Sequence, residues 1–180
     1  MNYKLIVTLL SIITTTFFVS INVYASPYGV GKYNANVPYG GQTQLTISTS
    51  GSINIPINPS VTGTLGSVSG NITVVSTDVV GYKLYIRALT STNLVNGGAI
   101  LPASANGSPA ALATNTWGYN LDASANFSGM TATDVLIKSA TQPYTSGDIT
   151  TVTYGVKIDQ SKPAGNYAST VIYTAVPQTN

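Results

Sequence analysis

Apolar and polar residues alternate with a period of two along most of the chain beyond residue 42. Leu45 and Ile47 share one face, and Ile53, Ile55 and Ile57 resume the alternation after the Ser50-Gly51 break. Pro56 marks that second stretch as an edge, because proline donates no ladder hydrogen bond. Val68, Gly70, Ile72 and Val74 alternate with Ser67, Ser69, Asn71 and Thr73, and past a turn at Asp78 the residues Tyr82, Leu84, Ile86 and Ala88 repeat the pattern. Trp117, Tyr119 and Leu121 form a further face, and a short Val135-Leu136-Ile137 run follows. Val152, Tyr154, Val156 and Ile158 then alternate with Thr151, Thr153, Gly155 and Lys157, and a last strand is expected from Tyr167 to Ala175. Successive side chains of a strand point to opposite faces, so this pattern predicts half-buried strands. No stretch holds a 3.6-residue apolar period over three turns. Seven or eight short strands punctuated by Gly and Pro predict an all-β chain folded as an antiparallel β-sandwich, Ig-like or jelly-roll in type.

The beginning of the chain follows another rule. Lys4 precedes the apolar run Leu5 to Ile13, which continues through Phe17-Phe18-Val19 and gives way to Asn22-Val23-Tyr24-Ala25-Ser26. A cation, an apolar stretch and small residues at Val23 and Ala25 are the parts of a secretory signal peptide. Residues 1–25 are therefore expected to be removed on export, with cleavage after Ala25 and an extracellular or cell-surface destination. No second apolar span follows, so no membrane span is expected after cleavage. Residues 26–41 mix Tyr and Gly with two prolines and read as a flexible leader. Residues 42–180 are then a single β-sandwich domain, and the chain left after removal of residues 1–25 is large enough to bury about 70% of its unfolded surface.

Composition changes this picture in two ways. Only 7% of residues are charged and the net charge is +2, so electrostatic binding to nucleic acid or anionic lipid is not expected. A surface covered by Thr, Ser, Asn and Gly resists self-association poorly. The chain also has no cysteine. Export would permit disulfides, so stability here must come from packing and sheet hydrogen bonding.

The side chains that carry most catalysis are missing. With no His, Cys or Glu the sequence cannot build a Ser-His-Asp site, a His/Cys zinc site or a Glu-based glycosidase pair, and neither catalytic residues, a metal nor a cofactor is expected. Asp78, Asp122, Asp134, Asp148 and Asp159 are the only acids, each beside a turn or a strand end. Asp122, Ser124, Asn126 and Ser128 place oxygens at alternate positions as calcium loops do, but Gly129 stands eighth and Thr133 twelfth, unlike an EF-hand. The stretch reads as a solvated turn. A Lys–Asn cross-link needs an inward lysine, and Lys83 and Lys157 fall on the polar faces of their strands.

Two further features bear on partners. The segment Ser91 to Thr116 is long for a loop in a compact domain and is a candidate contact surface, although Ala99-Ile100-Leu101 is apolar enough to tuck it onto the sandwich. Exposed aromatic rings can stack on sugars, and Trp117, Tyr119 and the leader tyrosines Tyr28, Tyr33 and Tyr39 are the candidates. Trp117 is expected in the core, as its largest filler.

Ser69-Gly70-Asn71-Ile72-Thr73-Val74, Gly81-Tyr82-Lys83-Leu84-Tyr85-Ile86, Trp117-Gly118-Tyr119 and Pro163-Ala164-Gly165-Asn166-Tyr167 occur in this order. Together they resemble a pattern in bacterial exported Ig-like cell-surface domains, and the segment Pro163 to Thr174 is similar to the last hairpin of fimbrial and spore-coat-like subunits. The resemblance implies an envelope component with a structural, polymer-forming role, although the cysteine pair of many such subunits is absent. The expected function is a secreted structural or accessory protein of the cell surface that assembles with other copies or envelope proteins by β-strand addition. The alternative is an adhesin or glycan-binding module. The expected contacts are Tyr28, Tyr33 and Tyr39 in the leader and Leu45 and Ile47 in the first strand; leader and strand would complete a neighbour's sheet, and the sequence leaves open whether that strand pairs at home or abroad.

Overall fold

A computed structural model describes residues 43–178. It contains nine strands: β1 (Gln44–Thr49), β2 (Thr64–Thr77), β3 (Gly81–Ala88), β4 (Leu94–Asn96), β5 (Ala99–Leu101), β6 (Thr116–Asn120), β7 (Val135–Ala140), β8 (Tyr144–Ile158) and β9 (Val171–Gln178). None of the described residues is helical, and none lies in a helix long and apolar enough to cross a membrane. The expected all-β sandwich is present. Seven strands form its two antiparallel sheets, ordered β1-β2-β8-β6 and β7-β3-β9, and β4 with β5 forms a separate hairpin.

The long β2 and β8 strands are the spine of the larger sheet. Their ladder runs from Thr64↔Ile158 to Ser76↔Tyr144, with a register shift between Val74 and Ser76. The alternating pattern becomes the two faces of this pair. Ile72, Val74, Val152 and Tyr154 turn inward and are buried, while Asn71, Thr73 and Thr151 face outward. Across the core, Tyr82, Leu84, Ile86 and Ala88 of β3 are each at most 1% exposed, so the predicted face is fully used. Burial of such side chains contributes about 1.5–3 kcal/mol apiece. Trp117 is 3% exposed, stacks on Tyr154 with ring centroids 6.5 Å apart, and donates its Nε1–H to the Thr92 carbonyl at 2.8 Å. It is a core filler, as expected.

Three details differ from the sequence reading. The strands number nine because the Ser91 to Thr116 segment folds its own hairpin, with Gly97 at φ +56° in the turn. Positive φ is free for glycine and costly for other residues, which suits a two-residue hairpin connection. Leu121 leaves β6 and is 45% exposed, so the third expected member of that face points to solvent. Ile53, Ile55 and Ile57 pack against the core as their spacing predicts, yet their segment joins no strand ladder among the described residues. They lie against the inner face of β2 where glycine replaces side chains. A β-carbon on Gly70 would fall 2.5 Å from Ile53 Cδ1, and one on Gly66 would fall 2.7 Å from Ile57 Cγ1.

A second, smaller cluster lies on the opposite side of the larger sheet. Gly118 and Gly155 face outward between inward Trp117, Tyr119, Tyr154 and Val156, and the ring of Phe127 covers Gly155. Phe127 and Ala110 exchange backbone hydrogen bonds of 2.8 and 3.2 Å, which ties the segments around them together. Leu112 is also buried. The long connection after β3 is thus pinned by Leu101 and Leu112, in keeping with the apolar character of Ala99-Ile100-Leu101.

Candidate interaction surface

A sheet edge exposes a row of backbone donors and acceptors, and the four edges of this sandwich are treated differently. The β6 edge is used. Ser104 N–H donates to the Trp117 carbonyl at 2.7 Å, Trp117 N–H donates to the Pro102 carbonyl at 3.2 Å, and Tyr119 exchanges two hydrogen bonds with Ser128. The β7 edge is flanked by charge. Lys138 on β7 holds Asp148 of β8 at 2.5 Å, and Arg87 meets Asp134 at 3.4 Å near its start. Asp148 also accepts the Tyr82 hydroxyl at 2.7 Å, so one carboxylate links β3, β7 and β8.

The other two edges carry no charge, and among the described residues no further strand pairs with them. Among the described residues β1 pairs with β2 alone and β9 pairs with β3 alone. They lie on one flank of the sandwich and are in contact. No charged residue occurs between Lys32 and Asp78, and none occurs from Val171 to Gln178. Lysine and other charges are the usual means by which proteins blunt an edge. Here Pro177 near the end of β9 is the only such device on either strand.

Beneath β9 the core is unevenly closed. Val171, Tyr173 and Ala175 pack against the core but stay only half-buried, unlike the fully buried face of β3. The hydroxyls of Tyr173 and Tyr154 are directly hydrogen-bonded. Burial pushes Tyr173 up to about 12, and burial first, then the neighbouring Tyr173, pushes Tyr154 further still. Both phenols are therefore neutral donors and acceptors in ordinary buffers.

The expected contact residues fall into two groups. Tyr28, Tyr33 and Tyr39 lie outside the described residues. Leu45 and Ile47 lie on the core-facing side of β1, with Leu45 half-buried and Ile47 39% exposed. Their strand, whose pairing at home or with a neighbour the sequence leaves open, is paired with β2 from Gln44↔Thr77 to Thr49↔Ile72. The signal missed in the sequence lies in the other sheet: β9 is equally uncharged, and among the described residues it pairs with β3 alone.

The remaining candidates are less favourable. Burial removes Trp117 and Tyr119 from any sugar-stacking platform, since their exposures are 3% and 6%. A shallow depression of about 290 Å³ lies beside β6, where Pro109, Leu121, Asp122 and Leu136 are among its walls. The Asp122 turn bonds to itself. Ser124 N–H donates to the Asp122 carboxylate at 3.1 Å and holds its pKa below the usual range, and the Asn120 amide occupies the Ser124 and Asn126 carbonyls. Compared with known proteins, the chain matches no family model, no curated protein and no solved structure.

Proposed function

We propose that this chain is an exported structural or accessory protein of the bacterial cell surface, an Ig-like sandwich that associates with other copies by β-strand addition at the edge of β9. The observation that carries this reading is the pair of uncharged edges, β1 and β9, which among the described residues have no outer neighbour and lie on one flank of a molecule whose other two edges are covered or charged. Backbone pairing gives affinity without charged side chains, which suits a chain that is 7% charged. An added strand would make the smaller sheet four-stranded, equal to the larger one, and would cover the half-buried Val171, Tyr173 and Ala175.

The donor in this reading is the leader, residues 26–41, of another copy. It contains a period that its Gly and Pro content obscures: Tyr33, Ala35, Val37 and Tyr39 alternate with Asn34, Asn36 and Pro38. One face of such a strand is apolar and fits a core, and Pro38 restricts it to an edge position. Because β1 pairs at home, the donated segment is confined to the residues before it. The lack of His, Cys and Glu supports a non-enzymatic role.

The test is deletion of residues 26–41 from the mature chain, followed by electron microscopy and sedimentation. Loss of assembly, together with inhibition of the full mature chain by a synthetic peptide of residues 30–41, is the expected result. A deletion protein that assembles like its parent would overturn the leader as donor.

A further inference from the structure

We infer that in a free copy the leader covers its own β9 edge, running parallel to β9 with Tyr33 beside Val171 and Val37 beside Ala175. This cover rests on the reading of that edge as a strand acceptor, and it concerns what occupies the edge before another copy does.

The ladder with β3 defines what the edge offers. Val80 N–H donates to the Gln178 carbonyl at 3.1 Å and Leu89 N–H donates to the Thr170 carbonyl at 2.9 Å. The N–H and C=O of one strand residue point to one side and those of the next to the other, so the even-numbered residues of β9 direct theirs to β3. Val171, Tyr173 and Ala175 therefore turn their backbone groups to the outer side, while their half-buried side chains pack against the core. Pro177 continues this row without an N–H.

The chain that precedes β1 arrives at the same place. β1 begins at Gln44, opposite Thr77, and Thr43 Oγ1 donates to the Asp78 carbonyl at 3.4 Å. Val80, two residues further on, is bonded to Gln178. The start of β1 and the end of β9 thus lie at one end of the sandwich, where the two sheets are about 10 Å apart. Gly40-Gly41-Gln42-Thr43 extend over about 13–14 Å, enough to carry Tyr39 from β1 to the end of β9, and Gly40-Gly41 leave the backbone free to turn.

This tether selects the direction. A leader that enters β1 from the Gln178 end runs towards that end, as β9 does, so the pair is parallel. The antiparallel direction would put Tyr39 beside Val171, about 23 Å from the Gln178 end, which is farther than residues 40–43 extend. Antiparallel pairing with β9 is left to the leader of another copy.

Register follows from the faces, because inward residues stay beside inward residues. Tyr33, Ala35, Val37 and Tyr39 come to lie beside Val171, Tyr173, Ala175 and Pro177, so that small Ala35 meets the Tyr173 ring and Val37 meets small Ala175. In a parallel ladder Asn34, Asn36 and Pro38 then face β9. Asn34 and Asn36 accept from the Tyr173 and Ala175 N–H groups and donate to the Val171 and Tyr173 carbonyls. Pro38 and Pro177 coincide where the next bonds would form, and neither has an N–H, so pairing ends there and the chain is released to cross to β1. This ladder of about four hydrogen bonds is short, but a short linker holds the leader at millimolar effective concentration. Another copy's leader must displace it, which makes assembly an exchange of strands and keeps a free copy from presenting a bare edge.

Introduced cysteine pairs report the geometry directly, since the chain has no cysteine of its own. Neighbouring strands lie about 4.7–4.9 Å apart, within the Cα separation that a disulfide spans. Asn34 lies beside Ile172 in the parallel register and beside Val176 in the antiparallel one. The test is mild oxidation of the mature chain at a dilution where sedimentation shows a monomer. Asn34→Cys with Ile172→Cys is expected to close an intrachain disulfide at least tenfold faster than Asn34→Cys with Val176→Cys, at a rate independent of protein concentration. Equal rates would show a leader without a fixed register, and an interchain product would assign the edge to another copy's leader; either overturns the proposal. In the unsubstituted monomer the Tyr173 and Ala175 amides are expected to exchange hydrogen at least tenfold more slowly than in the chain lacking residues 26–41, and equal exchange would overturn it as well. None of these failures touches strand addition between copies, which is read separately from the loss of assembly on deletion of residues 26–41.

Discussion

The ring of Phe127 occupies the space that a side chain on Gly155 would need: a β-carbon there would fall 2.4 Å from both Cε1 and Cζ. The contact is the centre of the small cluster outside the larger sheet, and it explains why a central strand tolerates glycine at this position. Phe127→Ala removes a ring that is 1% exposed and leaves a cavity over Gly155. The expected loss is about 3–5 kcal/mol in chemical denaturation. Gly155→Val, which forces the ring out, is expected to cost a similar amount, and the two changes together should cost less than their sum because they act on one contact.

The same logic applies on the inner side of β2. Gly70→Val places a branched side chain where Ile53 Cδ1 already lies, and among the described residues no strand ladder holds the segment around Ile53, Ile55 and Ile57. Overpacking of this kind costs about 1–3 kcal/mol. The expected outcome is preferential proteolytic cleavage between Gly51 and Pro59 in the variant, with β2 and β8 still protected in hydrogen exchange.

Asp148 is the hub of a polar cluster that joins both sheets. Its side chain is 13% exposed and accepts from Tyr82 and Lys138. Asp148→Ala strands the Tyr82 hydroxyl without its acceptor and is expected to cost about 1–3 kcal/mol. Lys138→Met should cost less, because the Lys138 side chain is 28% exposed and water can reach the carboxylate in its place. Urea denaturation of the two variants checks the order.

Alkaline pH should unfold the protein through Tyr154 and Tyr173. Burial raises Tyr173 in the folded state to about 12, whereas an unfolded tyrosine titrates near 10. The folded state therefore keeps its proton where the unfolded state has lost it, and stability that is complete below about pH 10 is lost as the pH rises through about 12. From Tyr173 alone the loss is on the order of 2 kcal/mol. Phenolate absorbance at 295 nm, followed beside circular dichroism, should show a group of tyrosines that ionise only as the fold is lost. In Tyr173→Phe the alkaline loss should be smaller.

Much of this protein follows from its sequence by itself. A period of two is the period of a strand, and the buried faces of β2, β3 and β8 are the residues that the alternation selects, from Ile72 and Val74 to Tyr82, Leu84 and Ile86 and to Val152 and Tyr154. The lack of His, Cys and Glu is equally a property of the sequence, and it narrows the chemistry without reference to the fold. Tertiary structure alone decided which strand lies beside which. Side-chain alternation reports that a residue faces inward, but it is identical for a strand with two neighbours and a strand with one. For that reason Ile53, Ile55 and Ile57 read as a strand and, among the described residues, fold over Gly66 and Gly70 without a ladder partner, and β1, whose pairing the alternation leaves open, lies beside β2. The edges of β1 and β9 that have no outer neighbour among the described residues, on which the proposed assembly rests, arise from pairing between residues far apart in the chain, such as Leu45 with Ser76 and Tyr85 with Thr174. Backbone hydrogen bonds of that kind leave no mark on local residue pattern, so only the folded arrangement reveals which are unmade.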